Sequence, residues 1–392
     1  MNATPRRVVI VGGGVAGQRC AFALRQRGHD GSLALVSDEP SLPYDRPLLS
    51  KQYLEGLLDD TDLELDPGSR YDDQGIDVVL GARAKRLAPG GHIVLLDDGR
   101  DLPFDRLVVT TGGHARRPPS LNQDRVHVLR SLEDARRIRD ALATCTRLVV
   151  VGGGVLGCEI AATATTMGVA VTVIEAGPNL MASALGAQVG RRITAMHVDR
   201  GVDVRTGVFA MASTPGPDGR PELRLSDGST MSADMVVVGL GVSPASSWLG
   251  NSLDSRDGIA TDETGRTNVP DVFAAGDCAS WFHPRYGVRI RFEHWEMAAQ
   301  QGVVVARSVL GEEGEAHAPL PYFWSNQYDL RLQWLGHAPA WDTVDIEDGS
   351  GETFVARYQD QGRLIAVLAA GMPHIISQAR EELERTEQEE VA

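Results

Sequence analysis

Short, largely apolar runs alternate along this chain with helix-compatible segments, and one arrangement of them occurs twice. The run from Arg7 to Val11 is continuously β-branched after its arginine. It is followed by Gly12-Gly13-Gly14-Val15-Ala16-Gly17, a helix-compatible segment from Gln18 to Arg27, and a second apolar run, Ser32 to Val36, that ends at Ser37-Asp38-Glu39. The pattern predicts strand, glycine turn, helix, strand. The second copy runs from Arg147 to Val151, through Gly152-Gly153-Gly154-Val155-Leu156-Gly157 and a helix from Cys158 to Met167, to Val169–Ile174 and Glu175.

Each glycine in this spacing has a physical task. The first (Gly12, Gly152) permits the tight turn, the second (Gly14, Gly154) lets backbone N–H groups approach a pyrophosphate, and the third (Gly17, Gly157) lets helix pack on strand. The helix N-terminus offers partial positive charge to the phosphates. A carboxylate at the end of the second strand completes such a site by accepting hydrogen bonds from ribose hydroxyls. Asp38 and Glu175 stand 21 and 18 residues after Gly17 and Gly157, near the spacing of about 20 that the dinucleotide fingerprint requires. Two nucleotide-binding units are therefore expected. Glu175 would repel a 2′-phosphate and no basic residue occurs from Val169 to Ala187, so NADH is expected over NADPH at the second. A third segment, Thr267 to Asp277, reads as a turn, a short buried strand and Gly276-Asp277. It would place the Asp277 carboxylate at a strand end facing a polyol such as a flavin ribityl chain; the alternative is a helix N-cap for the segment after Cys278.

Composition narrows the class. The chain has 392 residues, 42% apolar and 23% charged, which fits two or three folded domains and neither a disordered nor a membrane protein. Lys and Arg number 38 and Asp and Glu 53, a net charge of −15, and that sign repels nucleic-acid phosphates. No apolar run approaches the length of a membrane span, and the start shows no signal-peptide cleavage pattern, so a cytoplasmic location is expected. Cys20, Cys145, Cys158 and Cys278 are scattered without CxxC spacing, which suggests neither a disulfide framework nor a metal site.

Several segments carry a resemblance: Leu42-Pro43-Tyr44-Asp45-Arg46-Pro47-Leu48-Leu49-Ser50-Lys51, Leu129 to Ala135, the Asp277 segment, Arg291-Phe292-Glu293-His294-Trp295, and Pro321 to Tyr328. The chain resembles the FAD-dependent pyridine-nucleotide oxidoreductases, and specifically the NADH-dependent ferredoxin reductases that serve bacterial oxygenases and P450 systems. Apoptosis-inducing-factor-like flavoproteins share the first of these segments.

The resemblance implies an α/β fold with two Rossmann-like nucleotide-binding domains, glutathione-reductase-like, plus a C-terminal α+β domain. FAD would be held by residues 1–113 and 244–316, NADH by 114–243, and a C-terminal interface domain would run from 317 to 392. It places backbone contacts to FAD at Ala16, Ala84 and Trp295, with Arg130 reaching the pyrophosphate and Asp38 the adenosine ribose, Glu39 being the fallback. Arg46, Gly241 and Gly276 are further cofactor-binding candidates. Lys51 would sit beside the flavin and pair with Glu159, the residue two after the second glycine motif, and the pair would favour reduced flavin and orient the nicotinamide. The residues alone also allow a surface lysine and a first-turn acid complementing the helix dipole.

The implied reaction passes electrons from NADH through FAD to an iron-sulfur ferredoxin, with no nucleophile or metal. Trp324 would cover the nicotinamide or flavin and relay contact to the partner, or belong to the core. A helix is expected after Pro47 carrying Lys51 and Tyr53 but no cysteine, which argues against disulfide and peroxide reductases. Cys278 reads as inert packing, and His294 as a flavin contact or a cap. Arg285, Arg289, Arg291 and Arg331 are candidates for a basic patch facing an acidic ferredoxin. Compared with those reductases, the chain stops soon after Pro373-His374-Ile375-Ile376 and ends in an acidic run, Glu381 to Glu390, expected as a solvated helix or a frayed tail. Two other readings stay open: an NADH oxidase or small-molecule reductase, and an apoptosis-inducing-factor-like NADH-sensing flavoprotein.

Overall fold

The computed structural model describes residues 5–391 except 89, 91, 251–252 and 313–315, and side chains as far as 385. The chain forms two compact units, one made of Met1–Asp45, Asp60–His114 and Ser243–Pro319, the other of Arg46–Asp59, Ala115–Val242 and Leu320–Ala392. The fold is mixed α/β.

In the first unit the run at the start of the chain becomes β1 (Arg7–Val11) and the glycine turn leads into α1 (Val15–Gln26). Strands β2 (Ser32–Val36), β3 (Asp77–Val79) and β4 (Arg106–Val109) follow. With the strand Val272–Ala274 they form a parallel sheet in the order 272–274, β4, β1, β2, β3. The unbroken apolar character of β1 has a simple cause. Val8 and Ile10 point to the core shared with α1 and the helix Trp295–Val309, whereas Val9 and Val11 point to the opposite core, under the antiparallel strands Ala84–Ala88 and Ile93–Leu96. A strand buried on both faces has no position left for a polar residue.

The second unit repeats the design. Its parallel sheet has the order β8 (Asp203–Thr206), β7 (Ala170–Glu175), β6 (Arg147–Val151), β9 (Met235–Val238), β5 (Val126–Val128). Helices α2 (Leu132–Leu142), α3 (Val155–Thr166) and α4 (Ala182–Asp199) accompany it. In both units the strand that precedes the glycine turn is central and its successor lies beside it. The same unit contains a five-stranded antiparallel sheet in the order β10 (Tyr322–Gln327), β11 (Leu330–Gly336), β14 (Arg363–Ala370), β13 (Phe354–Asp360), β12 (Thr343–Asp348). Helix α5 (His374–Val391) closes one face of that sheet through Ile376, Ala379 and Leu383. The acidic run at the chain end is therefore helical, and its side chains beyond 385 lie outside the described residues.

Two expectations about local structure change. The stretch after Pro47 is not a regular helix: Arg46–Leu48 is one 3-10 turn and residues 49–56 continue as irregular turns. The Lys51 ammonium itself donates to the Pro47 carbonyl (2.8 Å), the acceptor that the Lys51 amide would use in an α-helix, and that amide turns to Leu48 instead. After Cys278 the chain enters a strand, Ala279–His283, so Asp277 does not cap a helix there.

Candidate functional site

Both glycine turns have the geometry that a pyrophosphate requires. Gly12 has φ +126°, and a Cβ on it would lie 2.1 Å from the Thr110 carbonyl oxygen; Gly152 has φ +106° and would meet the Gly239 carbonyl oxygen at 2.4 Å. The third glycine of each motif lies against the first, since a Cβ on Gly17 or Gly157 would lie 2.1 or 1.9 Å from the carbonyl oxygen of Gly12 or Gly152. The middle glycines differ: a Cβ on Gly14 or Gly154 would enter open space. Each of these residues is the N-cap of its helix, no side chain caps either helix, and neither first turn carries an acid. Uncapped first-turn amides beside open space, with no acid in either first turn, fit a dinucleotide at each turn.

The two turns also differ in register. The Gly12 amide donates to the Val36 carbonyl and the Gly152 amide to the Ile174 carbonyl, so Ser37 stands where Glu175 stands in the second copy. Asp38, one residue later, is exposed and pairs with Arg83 (3.2 Å), and Glu39 accepts from the Tyr44 hydroxyl (2.7 Å). The loop before β2 is longer, residues 27–31 against 167–169, which moves the strand end relative to the glycines. Glu175 bridges its own turn, accepting from the Gly153 amide (2.7 Å) and the Gly177 amide (2.6 Å).

The remaining first-unit candidates gather around α1. Ala16 is buried in its first turn, and Gly276, with φ +76°, would carry a Cβ 3.2 Å from that of Ala16. The Gln301 carboxamide accepts from the Gly276 amide (2.8 Å), holding the turn that presents Asp277. Trp295 opens the helix Trp295–Val309, with the Arg19 guanidinium 6.0 Å from its ring. Ala84, at the start of its strand, is buried. His294 is the N-cap residue of that helix, but its side chain makes no capping bond. Cys278 is fully buried, and desolvation pushes its thiol up to about 11, which leaves it an inert packing group.

In the second unit Lys51 and Glu159 meet. Both are buried, at 8% and 5% exposure, and Lys51 Nζ lies 2.7 Å from Glu159 Oε2. The Ser50 hydroxyl donates to the same oxygen at 2.6 Å, and the Ser325 hydroxyl, from β10, donates to Oε1 at 2.8 Å. Thr163, one turn along α3, fixes the approach by donating to the Ser50 carbonyl (2.8 Å). Glu159 lies beyond the first turn of α3, which contains no acid, so it does not act as a first-turn partner of the helix dipole, and Lys51 is not a surface lysine. Ser50, Ser325, Gln327 and His197 complete this cluster. Of these, Ser50, Ser325 and Gln327 lie in segments that the sequence marks as motifs; nothing local marks His197.

Other second-unit candidates have clear settings. Arg46 donates to the Arg130 carbonyl, and the Arg130 amide donates to Asp134 (3.1 Å), the N3 residue of a Ser131–Asp134 capping box that starts α2. Gly241 has φ +80°, a Cβ there would meet nothing, and its carbonyl accepts from the Arg116 amide (2.9 Å). Trp324 is half-buried, stacks on Tyr322 at 6.0 Å, and has the Arg331 guanidinium 5.8 Å from its ring. Strand β10 alternates, so Ser325 and Gln327 are fully buried while Trp324 and Asn326 are not. Of the four arginines, Arg289 and Arg331 are exposed. Arg291 is 14% exposed and paired with Glu293 (2.5 Å) and Asp257 (3.6 Å), so its charge is already neutralised.

Comparison with known proteins accounts for the repeated turns. Residues 6–302 match the family model described as pyridine nucleotide-disulphide oxidoreductase. The chain belongs to that family. Residues 322–392 match the model described as reductase C-terminal. A ferredoxin–NAD(P)(+) reductase of Sphingomonas sp. is 38% identical over 94% of this chain and 90% of its own length. The ferredoxin–NAD(+) reductase component of the p-cumate 2,3-dioxygenase system of Pseudomonas putida is 38% identical over 95% and 92%. Among solved structures, the covalent putidaredoxin reductase–putidaredoxin complex matches with a TM-score of 0.91 at 32% identity, covering 96% of this chain and 92% of that one. Members of the family use FAD and a nicotinamide dinucleotide, the two groups that the paired glycine turns fit. Among the described residues no helix is long and apolar enough to cross a membrane.

Proposed function

We propose that this protein is an FAD-dependent NADH:ferredoxin oxidoreductase, passing electrons from NADH to an iron-sulfur partner of an oxygenase or P450 system in the cytoplasm. Support comes from relatives that are reductase components along nearly their whole length and from a matching solved structure of a reductase joined to putidaredoxin. The observation that carries the reading is the buried Lys51–Glu159 pair, in a chain whose described cysteines are all free.

In this reading residues 1–113 and 244–316 hold FAD, 114–243 hold NADH and 317–392 form the interface domain. Gly12, Gly14, Ala16 and Gly17 would hold the FAD pyrophosphate, Arg130 would reach it and Asp277 would take the ribityl chain; Arg46, Ala84, Gly276 and Trp295 are further FAD-binding residues in this reading. Asp38 would take the adenosine ribose. Gly152, Gly154, Gly157 and Glu175 would hold NADH, with Gly241 flanking. When bound, FAD accepts a hydride from NADH and releases the electrons singly. Lys51 presents a fixed cation to a group that gains negative charge, and its burial strengthens that field relative to water. Glu159 holds the ammonium in one direction and offers its carboxylate to a carboxamide N–H. Trp324 would lie on the acceptor side.

The test is a coupled assay in which the FAD-loaded protein, NADH and cytochrome c are mixed with and without two-iron ferredoxins. Cytochrome c reduction that depends on ferredoxin is expected. Fast NADH consumption that is indifferent to every ferredoxin and sustained by oxygen would replace this reading with an NADH oxidase.

A further inference from the structure

The hydrogen bonds on Glu159 continue beyond Ser325 into a directed chain within the second unit. Gln327 Nε2 donates to Ser325 Oγ (3.2 Å) and to Met181 Sδ (3.4 Å). Its Oε1 lies 3.0 Å from His197 Nε2, and the Tyr328 hydroxyl lies 3.0 Å from His197 Nδ1. Only one set of directions satisfies these contacts. An amide nitrogen can only donate, so Gln327 Oε1 accepts and His197 carries its proton on Nε2. Burial keeps the ring neutral, holding it down at about 4, and Nδ1 accepts from Tyr328. From Tyr328 through His197, Gln327 and Ser325, one donor of each group then points toward Glu159. The carboxamide in the middle cannot hand a proton on as an imidazole or hydroxyl can, so the chain orients groups and does not conduct protons.

A second observation concerns the turn that follows β10. Tyr328 and Asp329 form the two-residue loop of the hairpin, and the φ of +54° at Tyr328 is the conformation such a loop requires at its first residue. Beyond that loop geometry, the Tyr328 side chain makes the His197 bond and has the Arg200 guanidinium, itself paired with Glu352 (2.6 Å), 4.5 Å from its ring. Ser325, Gln327 and His197 have no solvent exposure. The hairpin β10–β11 is thus anchored at its turn to α4, and the anchor sets where Ser325 sits.

We infer that Ser325 is a positioning residue for the Lys51–Glu159 pair, held in turn by Gln327, His197 and Tyr328. The two oxygens of Glu159 are served differently: Lys51 and Ser50 share Oε2, and Ser325 holds Oε1. Without Ser325 the carboxylate is held through Oε2 alone, by Lys51 and Ser50, so Oε1 loses its partner and the direction of the Lys51 ammonium is less tightly fixed. The inference rests on the reading that this pair assists electron uptake from NADH.

The chain has two lysines, Lys51 and Lys85, and Lys85 is exposed, so amine labelling read by mass spectrometry reports on Lys51 with an internal reference. In the FAD-loaded protein, Ser325→Ala and Gln327→Leu are expected to raise labelling of Lys51 relative to Lys85 by about tenfold, and Ser325→Thr to restore it. At saturating NADH, Ser325→Ala should slow flavin reduction about tenfold while KM for NADH stays within about twofold, and adding it to Glu159→Gln should change nothing further. Unchanged Lys51 labelling in both Ser325→Ala and Gln327→Leu overturns the inference, even if Glu159→Gln slows reduction and the role of the pair stands. If Glu159→Gln leaves the rate of reduction intact, the reading of the pair fails, and labelling alone decides whether Ser325 positions it.

Discussion

His197 offers a prediction that needs no cofactor chemistry. Its ring is fully buried, and desolvation lowers it from 6.5 to about 4. Folding therefore favours the neutral form: the contribution is in place above pH 6.5 and is lost as pH falls toward 4. The whole difference corresponds to about 3 kcal/mol, of which about 2 kcal/mol is lost between pH 7 and pH 5. Substitution His197→Gln keeps a donor for Gln327 and cannot titrate. Urea unfolding of the two proteins, followed by tryptophan fluorescence and circular dichroism from pH 7.5 to pH 5, should show the parent losing stability more steeply. The gap between them should shrink by about 2 kcal/mol over that range, whatever its size at neutral pH. His317, in the other unit, is also lowered to about 4, but both proteins carry it, so the difference isolates His197. Parallel pH profiles would mean that His197 is not buried neutral and that the hydrogen-bond directions assigned around it are wrong.

The remaining predictions concern the nucleotide turns and the thiol. A Cβ at position 157 would lie 1.9 Å from the Gly152 carbonyl oxygen, so Gly157→Ala should displace α3 and weaken NADH binding by about tenfold or more, measured by fluorescence titration, with FAD retained. Replacing Glu175, whose carboxylate spans the second turn, should reduce the preference in kcat/KM for NADH over NADPH by about tenfold, chiefly through the loss for NADH. Substitution Cys278→Ala should leave NADH-dependent reduction within about twofold at a stability cost of about 1 kcal/mol, because this buried thiol is packing and not chemistry.

The parts of this protein that are legible in its sequence are those built from neighbouring residues. Each glycine turn is a local device, and the close approaches at Gly17 and Gly157 are to carbonyls within the same turn. The apolar runs at Arg7–Val11 and Arg147–Val151 locate the central strands because burial on both faces leaves no polar position. Register is less legible: with two extra residues between α1 and β2, Ser37 takes the place in the first copy that Glu175 has in the second, and Asp38 follows one residue later. The helix expected around Lys51 is a run of turns, in which the lysine ammonium donates to the Pro47 carbonyl while its amide turns to Leu48. The network behind Glu159 is hidden for another reason. Ser50, Glu159, His197 and Gln327 come from four segments far apart in the chain, and a lone histidine in the last turn of a helix carries no local signal of the bond it makes. Similarly, Arg291 reads in the sequence as an available surface charge, whereas the fold sets Asp257 and Glu293 beside it.

Anaerobic single-turnover mixing shows whether NADH reduces the flavin and an iron-sulfur protein then collects the electrons. The FAD-loaded protein is reduced with one equivalent of NADH and then mixed with oxidised two-iron ferredoxins while flavin and iron-sulfur absorbance are followed together. Flavin absorbance should return at the rate at which ferredoxin absorbance bleaches, for at least one ferredoxin. A flavin that bleaches with NADH but stays reduced in front of every ferredoxin, and is reoxidised only when oxygen or a small acceptor is admitted, would contradict the proposed function.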